Sequence, residues 1–286
     1  MATLRAGDDV RGIFACSRKD RLVSKAGTPY LALELRDRTG AIAARAFRDA
    51  DALAGRFDRG DLVRVGGRVE RFRDALQVDV RTIARAAPGE ADPASFLPVA
   101  YRDMEELDGF LEHLAREVHD PGYRALLGAL LGDADLRARW RRAPCTRNGH
   151  HAYLGGLLEH TVAVATLAVE TCALHVRLNS DLLVTAALVH DLGKVDEFTF
   201  GGEIGLTDEG RLLGHVELGL RLLDERARRI GALDAGRLLA LAHCVLCHHG
   251  PDAAPGRRFG SPEALALFRL NALDASVKEA LEHGLG

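Results

Sequence analysis

The chain has 286 residues, 47% of them hydrophobic and 28% charged, and a formal net charge of −3. That balance belongs to ordinary soluble globular proteins of one or two domains. No run of about 18 apolar residues offers a bilayer span and no export signal opens the chain. A cytoplasmic protein without a membrane partner is therefore expected, with its five cysteines (Cys16, Cys145, Cys172, Cys244 and Cys247) reduced.

The charge is unevenly spread. Residues 1–90 carry 18 basic and 13 acidic side chains, a balance of +5, and the remainder carries 20 and 28, a balance of −8. A basic front on an acidic back hints at a polyanionic partner for the front. Four of the 38 cations are lysines, so Lys194 stands out among the arginines.

Short β-type runs dominate the front, at 10–15, 30–36, 41–47, 62–70 and 76–84, with a helical piece at 49–54. Asp37-Arg-Thr-Gly40 forms a turn between the second and third. Five strands in about 80 residues predict a small closed barrel. Their order and the stretch L-E-L-R-D-R-T-G-A-I-A-A-R-A-F resemble an OB-fold of the nucleic-acid-binding type, which implies an aromatic and basic face for a single strand. Phe14, Tyr30, Phe47, Phe57 and Phe72 are the aromatic candidates, with Arg36, Arg45, Arg64 and Arg73. At least half of the aromatics are expected in the core, and Tyr30 and Phe47 are taken as substrate-binding. The expected division is a barrel over 1–88, a Pro- and Gly-rich linker over 89–98, and an all-α bundle over 99–286.

From residue 99 the period is helical. Asp103 can cap a helix to about 118, Pro121 can begin the next, and Asp133 one that carries Trp140. Helices follow at about 150–175, 182–194, 208–228, 234–248 and 262–283, with a hairpin-like insert at 198–206. The central one, L-L-V-T-A-A-L-V-H-D-L-G-K, is apolar on every turn and yet ends on His190 and Asp191, with Gly193 expected to stop it. Burying an imidazole beside a carboxylate costs several kcal/mol without a partner, roughly, and a metal ion is a common one. His160, His215, His248, His249 and Asp274 sit in other helices where the pattern turns inward or ends. Nitrogen and carboxylate donors without thiolate suit manganese, iron, cobalt, nickel or zinc. Six or seven ligands exceed one open site, so one or two divalent ions are expected, with Asp191 as the bridge. Cys244-V-L-C-His248 matches a haem-attachment spacing, but both cysteines read as helix core.

His160, His190-Asp191 and Asp274 resemble the HD superfamily of metal-dependent phosphohydrolases. The wider pattern N-G-H-H-A-Y-L-G-G-L-L-E-H-T, H-D-L-G-K, L-T-D-E-G-R-L-L-G-H and H-H-G, behind an OB-fold, is similar to the YhaM-type 3′→5′ exoribonucleases over nearly the whole chain. The resemblance implies an exonuclease supported by manganese or cobalt that acts on single-stranded RNA, and on single-stranded DNA in some members; iron, nickel, zinc or magnesium are the other candidate ions, and hydrolysis through a metal-activated hydroxide is expected. It implies that His160, His190, Asp191 and Asp274 hold a first ion, and His215, His248 and His249 a second. Two features depart from related branches: no G-Y-P follows His249, and Gly156 stands where trinuclear relatives carry a Glu. Lys194 and Asp191 are expected to be catalytic, Lys194 by neutralising charge at the phosphate. Arg147, Asn148, His150 and His151 are expected to bind the terminal nucleotide. The alternatives are a phosphohydrolase of free (deoxy)nucleotides, or a nucleic-acid-binding protein with a structural metal site. A homo-oligomer is compatible with the sequence.

Overall fold

The computed structural model describes residues 1 and 3–284 and divides into two compact units, 1–98 with 200–205, and 99–199 with 206–284. The first is a closed barrel of five strands, β1 (Asp9–Val23), β2 (Pro29–Asp37), β3 (Gly40–Ala46), β4 (Leu62–Phe72) and β5 (Ala75–Arg85), in the order β1-β2-β3-β5-β4. Closure works because β1 is long enough to serve two neighbours. Its first half pairs with β4 and its second with β2, and a bulge between Cys16 and Arg18 bends it between the two. The sequence pattern shows only the first half of β1; residues 18–23 are mostly charged and exposed, which hides the strand. A second bulge in β4 at Gly66/Gly67 needs glycine, since a Cβ on Gly67 would collide with the Asp79 carbonyl. Alternate residues (Leu31, Leu33, Leu35, Val63, Val65, Val69, Val78 and Val80) point inward and fill the barrel. Phe57 is core too, at 1% exposure, and Phe14 packs against the same cluster. Residues 200–205 join this unit through Gly202, whose N–H donates to the Gly60 carbonyl and whose carbonyl accepts from Arg36 Nη2 at 3.0 Å. That bond commits Arg36, one of the candidate groove cations, to a structural partner.

The second unit is helical. The short α1 (Ala50–Ala54) lies in the barrel unit; the bundle comprises α2 (Met104–Arg116), α3 (Pro121–Leu131), α4 (Ala134–Arg142), α5 (Gly156–Leu174), α6 (Ser180–Val189), α7 (Lys194–Glu197), α8 (Asp208–Ile230), α9 (Ala235–Cys247) and α10 (Pro262–His283). Side-chain caps start most of them: Asp103, Asp120, Asp133, Asn179, Thr207, Asp234 and Ser261 each accept from backbone N–H groups of the first turn. Between α7 and α8 run two three-residue strands, β6 (Phe198–Phe200) and β7 (Ile204–Leu206).

Three expectations are corrected here. The helix expected from about 150 begins at Gly156, because His151 and Gly155 adopt φ of 51° and 83° and fold the preceding stretch as a loop. The central helix ends at Val189, and Gly193 is not a left-handed stop, since its φ is −62°. Glycine is needed there for proximity: a Cβ would collide with the His215 carbonyl and the Gly219 nitrogen of α8. Finally, α5 is, by length and composition, apolar enough to cross a bilayer. Its buried residues include Glu159 and His160, and it packs on α2, α4, α6 and α10 as the central rod of the bundle core.

Candidate metal centre

The ends of α6 and α9, the second turn of α5 and a break inside α8 bring the imidazoles and the shared carboxylate together. His160 is on the second turn of α5, His190 and Asp191 sit in the turn that closes α6, His248 and His249 close α9, and His215 stands one residue after a break in α8. The break is made by Gly214, with φ 73° and ψ 163°, a conformation that strains any other residue. It frees the His215 N–H, which donates to Glu197 Oε1 at 3.1 Å. The close approach at Gly193 seats α8 against the His190-Asp191 turn, so both glycines serve the placement of His215.

The imidazoles follow one rule. His190 Nδ1 lies 2.9 Å from the Ala187 carbonyl, His248 Nδ1 2.6 Å from the Val245 carbonyl, His215 Nδ1 3.3 Å from Glu197 Oε1, and His160 Nδ1 2.6 Å from Asp274 Oδ2. An acceptor at Nδ1 puts the proton of a neutral ring there and leaves a lone pair on Nε2. Those Nε2 atoms face each other. His160 and His190 are 3.2 Å apart, and each is 3.3–3.4 Å from Asp191 Oδ2. On the other side, His215 and His248 Nε2 each lie 3.4 Å from Asp191 Oδ1, and His249 Nε2 is 3.0 Å from His215 Nε2. The two oxygens of one buried carboxylate thus face two separate sets of donors.

A divalent ion fits this arrangement. Donors about 2.1 Å from a common centre stand about 3.0 Å apart in octahedral and about 3.4 Å in tetrahedral geometry. Asp191 Oδ1 and His248 Nε2 are buried with no hydrogen-bond partner among the described residues, an arrangement that is costly unless a cation satisfies it. Burial holds His160 down to about 4 against the pull of Asp274 and Asp191, and lowers His248 likewise, so both rings are neutral and ready to ligate. Burial alone would raise Asp191; the Lys194 ammonium and the neighbouring rings outweigh it and hold the carboxyl well below its usual range. Lys194 is itself buried at 5% exposure, and burial would lower its pKa, but Asp191 and Cys145 raise it. Its Nζ donates to Asp191 Oδ2 at 2.7 Å, the oxygen that also faces His160 and His190, and to Cys145 Sγ at 3.4 Å.

The remaining candidates fall around this centre. Asp274 is close, yet on the Nδ1 side of His160, where it also meets His151 Nε2 at 3.1 Å. His150 rests 5.6 Å, ring to ring, from His160, and burial followed by the charge of its neighbours lowers it to about 4. Arg147 and Asn148 are exposed on the same loop, which Thr146 braces by donating to the His150 carbonyl and accepting from the Gly149 N–H. Gly156 has no room for a side chain, because a Cβ would collide with the His151 carbonyl. Cys244 and Cys247 are buried in α9, and Cys247 Sγ faces His243 at 3.8 Å. Sequence reasoning missed Glu197, Cys145 and Asn271. Glu197 had no signal beyond its place after H-D-L-G-K, and Cys145 none at all. Asn271 lies one helical turn before Asp274, a spacing that puts both on one face of α10.

On the barrel, Tyr30 and Phe47 stack with ring centroids 5.1 Å apart. Arg45 lies over Tyr30 at 5.4 Å and over Phe72 at 5.1 Å. Phe47 and Phe72 are each 43% exposed. Arg73 and Asp74, both with positive φ, form the two-residue turn that presents Phe72, and Arg73 covers that ring at 5.3 Å. Arg64 is paired with Glu90.

Comparison with known proteins follows the same division. Residues 157–277 match the model of the HD domain, and residues 16–84 that of an OB-fold nucleic acid binding domain. The chain is similar to proteins named 3′-5′ exoribonuclease YhaM. It is 29% identical to that of Geobacillus sp. (strain WCH70) over 262 residues, covering 89% of this chain and 78% of that protein. The identity is 26% with that of Halalkalibacterium halodurans over 280 residues (96% and 85%) and 27% with that of Bacillus subtilis (strain 168) over 278 (95% and 86%).

Proposed function

We infer that this chain, which belongs to the YhaM-type family joining an OB-fold to an HD domain, is a metal-dependent 3′→5′ exoribonuclease. It is a hydrolase of the HD superfamily that uses a divalent metal and acts on RNA. The observation that carries the reading is Asp191, whose two oxygens face two sets of imidazole nitrogens across a buried centre. His160, His190 and Asp191 would hold one ion, and Asp191, His215, His248 and His249 another. Ions there would lower the pKa of coordinated water towards neutrality and offset negative charge at phosphorus.

The chain's own residues set up that chemistry. Lys194 would keep Asp191 ionised and fixed, as a positioning cation on its Oδ2. Glu197 would hold the His215 ring with Nε2 inward. Arg147, Asn148 and His150, on the loop before α5, would meet the terminal nucleotide and its phosphate. Tyr30, Phe47 and Phe72 would stack bases while Arg45 and Arg73 meet the backbone. Manganese is the proposed ion on the family resemblance; a nitrogen and carboxylate donor set without thiolate admits it alongside iron, cobalt, nickel and zinc. The cytoplasm is the proposed compartment, where the five cysteines would stay reduced.

The test uses 5′-labelled single-stranded RNA, single-stranded DNA and a panel of free nucleotides, with Mn²⁺ and with EDTA. The proposal expects an RNA ladder that shortens from the 3′ end, abolished by EDTA. Release of phosphate from free nucleotides alone, or binding without turnover, would overturn it. The DNA arm reads substrate range.

A further inference from the structure

We propose that the outer face of β1, β4 and β5 carries a second site for the RNA strand, a cleft that takes the sugar-phosphate backbone of nucleotides beyond those stacked on Tyr30, Phe47 and Phe72. The inference rests on the reading of the chain as an RNA hydrolase. It goes beyond that reading because OB-folds hold oligonucleotides on the face of their second and third strands, and this cleft is built from the others.

The cleft exists because the sheet lacks side chains there. Along β4, Val63, Val65, Gly67 and Val69 are buried, so Arg64, Gly66 and Arg68 point outward. Gly66 lies in register between Arg11 of β1 and Thr82 of β5. It leaves the surface hollow, and a Cβ there would stand 2.6 Å from Thr82 Oγ1. The register shift at Gly66/Gly67 leaves Arg81 of β5 without a paired residue, on the rim of the same hollow. The cleft measures about 770 Å³, floored by glycine and walled by Arg11, Arg64 and Arg81.

Its chemistry suits an oxyanion. All three arginines are exposed, and Arg11 and Arg81 have no ion-pair or hydrogen-bond partner among the described residues. Arg64 shows what the cleft accepts: Glu90 Oε1 takes hydrogen bonds from its Nε, at 2.9 Å, and from its Nη2. A carboxylate oxygen on the guanidinium edge occupies the place that a phosphate oxygen would take. Asp9 is the other acid of the lining, so three cations face two anions, and Glu90 is a group that the strand must displace.

The cleft is also continuous with the aromatic platform. Arg45, which lies over Tyr30 and Phe72, is in register with Asp79 of β5, and Asp79 with Arg68 of β4. Two strand spacings and one outward step along β4 separate Arg45 from Gly66, about 12 Å in all. One OB-fold covers about 4–16 nucleotides. The platform alone accounts for the short end of that range, and platform plus cleft for the long end.

The test is fluorescence anisotropy of the full chain with 5′-labelled single-stranded RNAs of about 6 and about 16 nucleotides. Salt is varied, and EDTA is present to prevent turnover. A double variant, Arg11→Gln with Arg81→Gln, should bind the longer RNA more weakly. Its salt slope should fall by about 1.4, at about 0.7 per phosphate on a single strand. Its binding of the shorter RNA should match that of the natural chain. Glu90→Gln should act in the opposite sense, tightening the longer RNA and steepening its slope by about 0.7 as Arg64 is freed. Arg177→Gln, which removes an exposed arginine of the bundle, should change neither RNA. An unchanged slope in the double variant, an equal loss on both RNAs, weaker binding by Glu90→Gln, or the same loss in Arg177→Gln would overturn the second site and leave the RNA reading standing. A natural chain that binds neither RNA would overturn both.

Discussion

The barrel and the bundle present their binding groups by opposite physical means. In the bundle Asp191, His160, His190 and His248 are buried, four of the rings are anchored at Nδ1, and a single carboxylate faces two ways with no hydrogen-bond partner for one of its oxygens among the described residues. In the barrel the rings and guanidinium groups lie on the surface, stacked on each other and open to solvent. The first is a costly arrangement that a cation would repay. The second is nearly free and tolerant of what it meets. A site that performs chemistry has to be preorganised, whereas a site that holds a strand of varying sequence needs only flat apolar faces and positive charge. The contrast predicts that substitutions in the bundle act on metal binding, turnover and stability together, and that substitutions on the barrel act on affinity alone.

Asp191→Asn should have the largest effect. It replaces one of the two oxygens that face the donor sets with an amide NH2 and removes the negative charge, and turnover should fall on the order of 10³-fold or more, beyond the loss of a single preorganised donor. Elemental analysis should find fewer ions per chain. Retention of both ions would separate Asp191 from the centre. Lys194→Met comes next. Removing the ammonium leaves Asp191 buried and unpaired, so the ion-free protein should lose about 3–5 kcal/mol of stability, and turnover should fall about 10²-fold or more. Saturating Mn²⁺ should restore much of the stability, because a cation again faces the carboxylate. Urea melts with and without the ion measure both, and equal losses in the two conditions would show that Lys194 supports the fold and not the centre.

The pH response is the next sharpest test. His160 is held at about 4 in the folded chain against an ordinary value of 6.5. The unfolded chain therefore takes up a proton between about pH 6.5 and 4 that the folded one refuses, and folding stability should fall as pH drops through that window. Thermal melts in chelator should show the decline from pH 6.5 downward and none from this ring above it. A His160→Gln variant should make it shallower, leaving the share of His150 and the other depressed rings.

The smallest effects are expected on the barrel. Tyr30→Ala or Phe47→Ala should each weaken binding of a long RNA by about 1–3 kcal/mol, the worth of one stacked base, with turnover of a dinucleotide unchanged. Arg45→Gln should reduce the salt dependence of binding by about one phosphate. A fall in dinucleotide turnover would mean that the platform and the centre do not divide the work.

Much of this was legible in the residues. Asp103 and Asp133 announce helices by the physics of capping and Pro121 by its fixed φ, and each does start one. Alternation marks the five strands, since each buries one face. An apolar helix that ends on His190-Asp191 is legible because burying those groups demands a partner. What could not be read depends on proximity across the fold. Gly193 is glycine because α8 passes against it, and Gly214 because a helix must break to aim His215. Asn271 could not be distinguished from Asp274, because residues one helical turn apart share a face and only the orientation of the His160 ring tells which of them meets Nε2.

The central claim is that residues spread from His160 to His249 converge on two cation sites joined by Asp191. Diffraction from crystals grown with Mn²⁺, recorded at an energy where manganese scatters anomalously, tests it most directly. The account predicts two peaks about 3.5–4 Å apart, one on each side of Asp191. A single peak, or peaks away from that carboxylate, would contradict it.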